Sequence, residues 1–550
     1  MKIEDYLIEQ IRAAMARKGF AVAANFDFSL ERPKSAAHGD LSTNVAMLLA
    51  ASLKRRPREI ATDLLQALQT ESALISKAEV AGAGFINFHL SRDYFRAALQ
   101  SILAAGQDFG HADWGQHTKV QIEFVSANPT GPLNVVSARA ATVGDVLASL
   151  MQAVGFEVER EFYVNDAGRQ VKLLGMSLSS RYMELLGLQE PFPEEGYHGD
   201  YIRDYARELA DQEGDRYARL EQEQRWAQFT RLAVEKMIAE QKTVLGHYRV
   251  NFDHWFRESK LRQRNAHEAV LRRLAEQGHL YEKEGAQWFA ASQFGDEKDR
   301  VLVTSAGEPT YFLVDIAYHL DKFQRGFEKI YDLWGPDHHG YINRMKAALE
   351  ALGYDRSRFE VKIIQQVNLL EKGQVVKMSK RAGKIIEMRE LIEEVGVDVA
   401  RYFFVARRNE SPLDFDMDLA KNTSEENPVF YVQYAHARIC NILKFAEEKK
   451  IARSEQSDLA RLTELEEFDL IKKLLEFPDV VTKAAKFLEP HRLPNYLHEL
   501  AATFHRFYHH RRVVTDDEAL TGARLVLVEA TRIVLANALA LLGITAPERM

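Results

Sequence analysis

The stretch Lys119-Val120-Gln121-Ile122-Glu123-Phe124-Val125-Ser126-Ala127-Asn128-Pro129-Thr130-Gly131-Pro132-Leu133-Asn134-Val135-Val136-Ser137-Ala138-Arg139-Ala140-Ala141 reads as strand, turn and helix. Residues Val120 to Val125 alternate like a strand, and Pro129-Thr130-Gly131-Pro132 interrupts any regular element. Apolar residues then recur at Val143, Val146, Leu147, Leu150, Met151 and Val154, a helical spacing that stops at Gly155. A polar loop therefore feeds a helix N-terminus, whose unpaired N–H groups favour a phosphate or another anion. A plain structural βα unit has the same pattern, so the choice rests on the rest of the chain.

Working outward, 550 residues with 46% hydrophobic content are enough for two to four domains. No apolar run approaches the ~20 residues that span a bilayer, and Met1 to Tyr6 opens an acidic amphipathic pattern, not a signal peptide. A cytoplasmic protein with no membrane partner is expected. The single Cys440 excludes an intramolecular disulfide and a cysteine-rich zinc site, and its helical surroundings predict an inert thiol. A net charge of -8 argues against global attraction to nucleic acid but permits local basic patches.

Residues 1–112 mix helical and strand-like patterns, an α+β domain. They carry His38-Gly39-Asp40, a strand entered through glycines (Gly82 to Leu90), and the basic run Lys54-Arg55-Arg56-Pro57-Arg58. Taken alone, that run is a solvated helix end or an RNA-backbone contact. From about 113 strands alternate with helices, as in a parallel sheet with crossover helices. Glu161 to Gln170 is a strand ending in polar residues, and ligands of open α/β sheets collect at such ends. Residues 200 to 245 read as a charged helical insertion on the surface. The sheet pattern is expected to resume at Gly295 to Val303. In a following helix, Tyr311 and Asp315 lie one turn apart on one face, a hydroxyl and a carboxylate that can converge on one cation. Tyr331 to Trp334 runs into Gly335-Pro336-Asp337-His338-His339-Gly340-Tyr341, whose adjacent histidines lack zinc spacing.

A second informative stretch, Lys377-Met378-Ser379-Lys380-Arg381, places three cations in five residues, suited to a polyphosphate. It resembles the K-M-S-K signature of class I aminoacyl-tRNA synthetases, and Asn134 to Ser137 stands where their His-x-Gly-His signature falls. The closest resemblance is to the arginyl-tRNA synthetase family. It spans nearly the whole chain, through the His38-Gly39-Asp40 and Gly84 to Phe88 segments, Tyr163 to Gln170, Asp296 to Val301, Tyr311 to Asp321 and Trp334 to Tyr341. Glu426 to Arg438 resembles the opening of that family's helical anticodon-binding domain.

The resemblance implies a Rossmann-like α/β catalytic domain at 113–415, an N-terminal α+β tRNA-contacting domain at 1–112, and an all-α anticodon-binding domain at 416–550. It implies ATP-dependent attachment of arginine to its tRNA through an arginyl-adenylate, with Mg²⁺ accompanying ATP, no metal ligated by the protein, and a monomer. Activation in this family commonly requires tRNA. Lys377, Lys380, Asn134 and Ser137 would serve catalysis; Glu123, Ser126, Asn128, Tyr311 and Asp315 would hold arginine. Pro129, Gly131, Asn134, Ser137, Asp337, His338, His339 and Lys377 to Lys380, with Met378 and Ser379, would hold ATP. Lys54, Arg55, Arg56, Tyr431, Gln433, Tyr434, His436, Arg438, Arg512 and Met550 would meet tRNA. Guanidinium offers five fixed donors to carboxylates, which fits the proposed acceptors. The departure is Asn134-Val135-Val136-Ser137, which lacks both histidines and the glycine. Arg139 is expected to supply a nearby cation in compensation. The alternative is a synthetase-like protein that binds tRNA or arginine but is impaired in adenylate formation.

Overall fold

The computed structural model describes residues 3–20, 26–33, 35–376, 386–451 and 457–550; Lys377, Met378, Ser379 and Lys380 lie outside the described residues. Five parallel strands form the centre, in spatial order Phe359–Ile363, Lys329–Trp334, Lys119–Glu123, Glu157–Val164, His254–Arg257. In chain order this is 5-4-1-2-3, so the winding direction reverses between the strands Lys119–Glu123 and Lys329–Trp334. Ligands of open α/β sheets bind beyond the strand ends at that reversal. The helix Val135–Ala153 covers one face with Ala141, Leu147 and Met151, and Tyr311–Gln324 covers the other with Leu313, Ile316 and Leu320.

The register is the structural fact that matters most for the site. Asp332 pairs with Glu123, Glu123 with Glu161, and Glu161 with His254, so three carboxylates and an imidazole stand abreast across four strands. Residues paired in a parallel sheet point to the same side, about 4.8 Å apart. All three acids are buried.

Two expectations need correcting. The segment Arg300–Val303 does not rejoin the parallel sheet; it closes a separate antiparallel sheet with Leu280–Lys283 and Ala286–Phe289. These strands have only four residues each, too few for a local pattern to distinguish the two pairings. The insertion is also more than a surface feature. Its helices Asp200–Glu213 and Gln222–His247, with the preceding helix Arg169–Leu185, enclose a separate core of Leu174, Tyr182, Phe229 and Met237. Val234, Ile238 and Leu245 of the last helix enter the central core.

The N-terminal part packs Ile3–Arg17, Val45–Leu53 and Pro57–Ala67 on an antiparallel sheet of Leu41–Thr43, Phe85–Leu90 and Ile75–Ala81. Gly39 turns into it at φ +80°, where a Cβ would stand 2.6 Å from the Phe88 carbonyl oxygen. The C-terminal part is helical: Pro428–Glu448, Leu465–Leu475, Phe477–Lys486, Arg492–His510 and Glu518–Leu541 pack around Ile439, Leu470, Leu497, Phe504 and Leu535. The Asp40–Lys472 ion pair, 2.6 Å, ties it to the N-terminal part. Among the described residues no helix is long and apolar enough to cross a membrane.

Candidate active site

The loop after Lys119–Glu123 reaches the helix Val135–Ala153 as the sequence indicates, and the helix is capped by Asn134. Asn134 is extended, and its Oδ1 accepts the Ser137 N–H at 3.1 Å and the Ser137 hydroxyl at 3.3 Å. The two polar residues of the variant signature are thus engaged with each other at the helix N-terminus. Asn134→Ala is expected to cost about 1 kcal/mol of stability, and the cap-competent Asn134→Ser to recover most of it, both read by denaturation. Equal stability of the alanine and parent proteins would deny the cap any role.

Insertion side chains hold the loop from outside. The Tyr201 hydroxyl donates to the Thr130 carbonyl at 2.7 Å, and Gln241 Nε2 donates to the Asn128 and Gly131 carbonyls at 3.2 and 3.4 Å. Pro129 and Gly131 therefore belong to a braced turn. Arg139, expected beside the nucleotide, is fully buried and donates to the carbonyls of Gln365, Gln366, Arg408 and Ser411 at 2.8, 3.4, 3.0 and 2.9 Å. Its guanidinium is engaged by the segments 365–366 and 408–411 instead of by the crevice.

Glu123 is at the centre of the site. Its Oε1 accepts the Ser126 hydroxyl at 2.8 Å; its Oε2 accepts the Tyr318 hydroxyl at 2.8 Å and the Lys322 ammonium at 2.6 Å. Lys322 also donates to Asp332 at 2.8 Å, and the Tyr318 hydroxyl reaches Glu161 at 2.5 Å. Arg325 in turn holds Glu161 and Glu159 at 2.6 and 3.1 Å. The helix Tyr311–Gln324 and the arginine that caps it thus carry the cations and hydroxyl that neutralise the carboxylate row. Burial pushes the Glu123 carboxyl up against the pull of Lys322. Burial works the same way on Asp332, but Lys322 and His319 overcome it and hold that carboxyl below its usual range. Glu161, also buried, is brought down to about 2 by His254 and Arg325.

His319 touches acceptors on both ring nitrogens, the Asp315 carbonyl at 2.8 Å and Asp332 Oδ2 at 2.9 Å. Burial and Lys322 oppose its charge, yet Asp315 and Asp332 raise it to about 10, so it stands as an imidazolium at neutral pH. Asp315 lies one turn earlier, a third exposed, with the Tyr341 hydroxyl and His319 as neighbours. Tyr311 opens the helix and is 74% exposed at the crevice rim. Asn128 Nδ2 donates to Gln170 at 2.9 Å. Asp337, His338 and His339 are exposed in the short helix Pro336–Tyr341 that follows the strand Lys329–Trp334. Among the described residues, the one grouping with metal-ligand geometry is Glu159, Glu161 and His254, and Arg325 Nη1 already sits 3.1, 2.6 and 3.1 Å from them.

The predicted tRNA-facing residues divide. Lys54, Arg55 and Arg56 are exposed, with Arg55 paired to Asp63 at 2.8 Å. Tyr431 and Tyr434 are half-buried, with His505 4.8 and 6.0 Å away between ring centroids, and Arg438 lies 4.5 Å over Tyr434. Arg512 and Met550 are exposed. Gln433 and His436 do not face outward: both are buried and bond the Thr545 and Pro547 carbonyls at 2.9 and 2.8 Å, anchoring the C-terminal tail. Sequence reading missed Tyr318, His319, Lys322, Arg325 and Asp332; the available signal was that His319 and Lys322 follow Asp315 one and two turns on in the same helix.

A doubly wound parallel sheet, a braced nucleotide-type turn at its switch point and an appended helical domain define a class I aminoacyl-tRNA synthetase, and the model described as "tRNA synthetases class I (R), catalytic domain" matches residues 98–425. "Arginyl tRNA synthetase N terminal domain" matches 5–90 and "DALR anticodon binding domain" matches 432–550. The chain is 46% identical to an arginine–tRNA ligase of Halalkalibacterium halodurans and 48% to one of Geobacillus kaustophilus, in both cases over 100% of this chain and 99% of the relative. Thermus thermophilus arginyl-tRNA synthetase shares the fold with a TM-score of 0.78, 24% identity and full coverage of both chains. The chain belongs to the arginyl-tRNA synthetase family.

Proposed function

We propose that this chain charges tRNA with arginine in the crevice above the carboxylate row. The observation that carries the site assignment is the row itself. Glu123 stands inside this neutralised acid array and Asp315 on the helix packed against it, and a guanidinium can add its fixed donors to the acceptors that remain. Ser126, Asn128 and Tyr311 complete the arginine side of the crevice. ATP lies against the turn Pro129 to Gly131 and the helix capped by Asn134 and Ser137, with Asp337, His338 and His339 on the opposite rim. Lys377 and Lys380, with Met378 and Ser379 between them, supply the second signature.

The arginine carboxylate attacks the α-phosphate, forming a P–O bond as the bond to pyrophosphate breaks. The terminal ribose hydroxyl of tRNA then attacks the activated carbonyl, and AMP leaves. Positioning and charge stabilisation suffice for both steps, without a covalent enzyme intermediate. Mg²⁺ carried by ATP supplies further charge neutralisation. The residues 1–112, 113–415 and 416–550 divide the work between the tRNA body, the chemistry and the anticodon. A pocket of about 480 Å³ lined by His38, Asn44, Asn87 and the exposed Phe85 ring supports RNA contact by the first, since aromatic and amide groups suit an unstacked base. Lys54, Arg55 and Arg56 add backbone contacts, and Tyr431, Tyr434, Arg438, Arg512 and Met550 form the anticodon face. The protein acts as a cytoplasmic monomer.

Charging of total tRNA with labelled arginine tests the function; retention of tRNA without charging would favour a binding protein. For the site, Asp315→Ala is expected to raise the arginine KM about a hundredfold and the ATP KM by no more than about threefold, measured with tRNA present. Equal rises would mean general disruption.

A further inference from the structure

The strand Lys119–Glu123 leaves the sheet through two successive residues with left-handed backbone, Val125 at φ +67° and Ser126 at φ +40°. Neither is glycine, and a β-branched residue there is a steric outlier, because its Cβ crowds the neighbouring carbonyl. The Ser126 N–H donates to the Phe124 carbonyl at 2.9 Å, closing a γ-turn on Val125. Positive-φ γ-turns are rare and strained.

Strain of this kind persists only where the surroundings fix both ends of the turn. Upstream, Phe124 is fully buried: a Cβ on Gly144 would come within 2.1 Å of its ring, and Phe252 lies 4.4 Å away between centroids. Downstream, the Ser126 hydroxyl donates to Glu123 Oε1 at 2.8 Å and accepts the Tyr163 N–H at 3.1 Å. The turn folds the chain back so that residue 126 lies over residue 123. An unstrained extended path would carry Ser126 onward, away from the carboxylate.

We propose that Val125 is a positioning residue for arginine: its strained turn holds Ser126 on Glu123 and fixes the carboxylate oxygen that meets the substrate. This rests on the reading of Glu123 as part of the arginine site. The bulky side chain, confined to a region it rarely occupies, keeps the turn from exploring the wide φ range open to glycine.

The test is steady-state charging by Val125→Gly and Val125→Ala, with melting temperatures. Glycine is expected to raise the arginine KM about tenfold and the ATP KM by less than about twofold, with a melting temperature close to the parent's, because relief of the Cβ clash offsets the lost packing of Val125 against the central core and the added freedom of the unfolded chain. Alanine keeps a Cβ and is expected to shift the arginine KM by a smaller factor. A parental arginine KM in the glycine variant, equal rises in both KM values, or a marked loss of melting temperature would each overturn the proposal. Glu123→Gln separates the two claims. An unchanged arginine KM there removes the reading and the proposal together, whereas a raised value beside a parental Val125→Gly removes the proposal alone.

Discussion

Lys322→Met is expected to destabilise the protein by about 3–5 kcal/mol and to weaken arginine binding severely. Lys322 is fully buried, and its ammonium lies 2.6 Å from Glu123 and 2.8 Å from Asp332. Methionine fills much the same volume, so the loss is electrostatic: two carboxylates remain out of water with one cation fewer. Glu123, whose carboxyl burial already pushes up, is the one that takes a proton. A neutral Glu123 is a poorer acceptor for a guanidinium, so the arginine KM of the variant should improve as pH rises and Glu123 ionises, at higher pH than in the parent, where Lys322 opposes the upward push of burial. Neutralising the acids as well, with Glu123→Gln and Asp332→Asn added, should recover much of the stability while arginine binding stays poor. Parental stability in the single variant would show that His319 and Arg325 discharge the row without Lys322.

Arg139→Met is expected to cost about 2–4 kcal/mol, since the Gln365 and Ser411 carbonyls lose their donor, at roughly 1–3 kcal/mol each, while those of Gln366 and Arg408 keep the Leu413 and Ser411 N–H groups. Those carbonyls belong to residues 365–366 and 408–411, so one guanidinium clamps two chain segments to the nucleotide helix. Burial pushes Arg139 down to about 10, which leaves it charged at neutral pH. Lysine offers a single point charge in place of a planar fork, so Arg139→Lys should recover only a small part of the loss. Chemical denaturation gives the stability, and the ATP KM of Arg139→Lys gives the role. A tenfold rise in that KM at intact fold would return Arg139 to the phosphates, where the sequence had suggested it.

That suggestion failed for a reason that applies more widely. The strand, turn and helix from Lys119 to Ala153 were legible because proline, glycine and apolar spacing act over a few residues. So was the helical character of the C-terminal part. Where a side chain points once the helix is packed depends on segments hundreds of residues away, and Arg139 reads as a free cation until residues 365 and 408 arrive. The carboxylate row is the same case. Glu123 was visible as an acid at a strand end, but its registry with Asp332 and Glu161 is a property of strand pairing. Gln433 and His436 carried RNA-binding chemistry, and only packing against the C-terminal tail assigned it to structure.

The registry has a consequence for how the chain is made. Lys322 follows Glu123 by 199 residues. At roughly 5–20 residues per second of synthesis, Glu123 waits roughly ten to forty seconds on the ribosome before its neutralising lysine is even polymerised. The first strand of the sheet therefore cannot bury its carboxylate when it emerges. Its residence in water during that interval is built into the order of the gene, and slowing elongation between codons 123 and 322 should lengthen the period in which the nascent chain is open to protease.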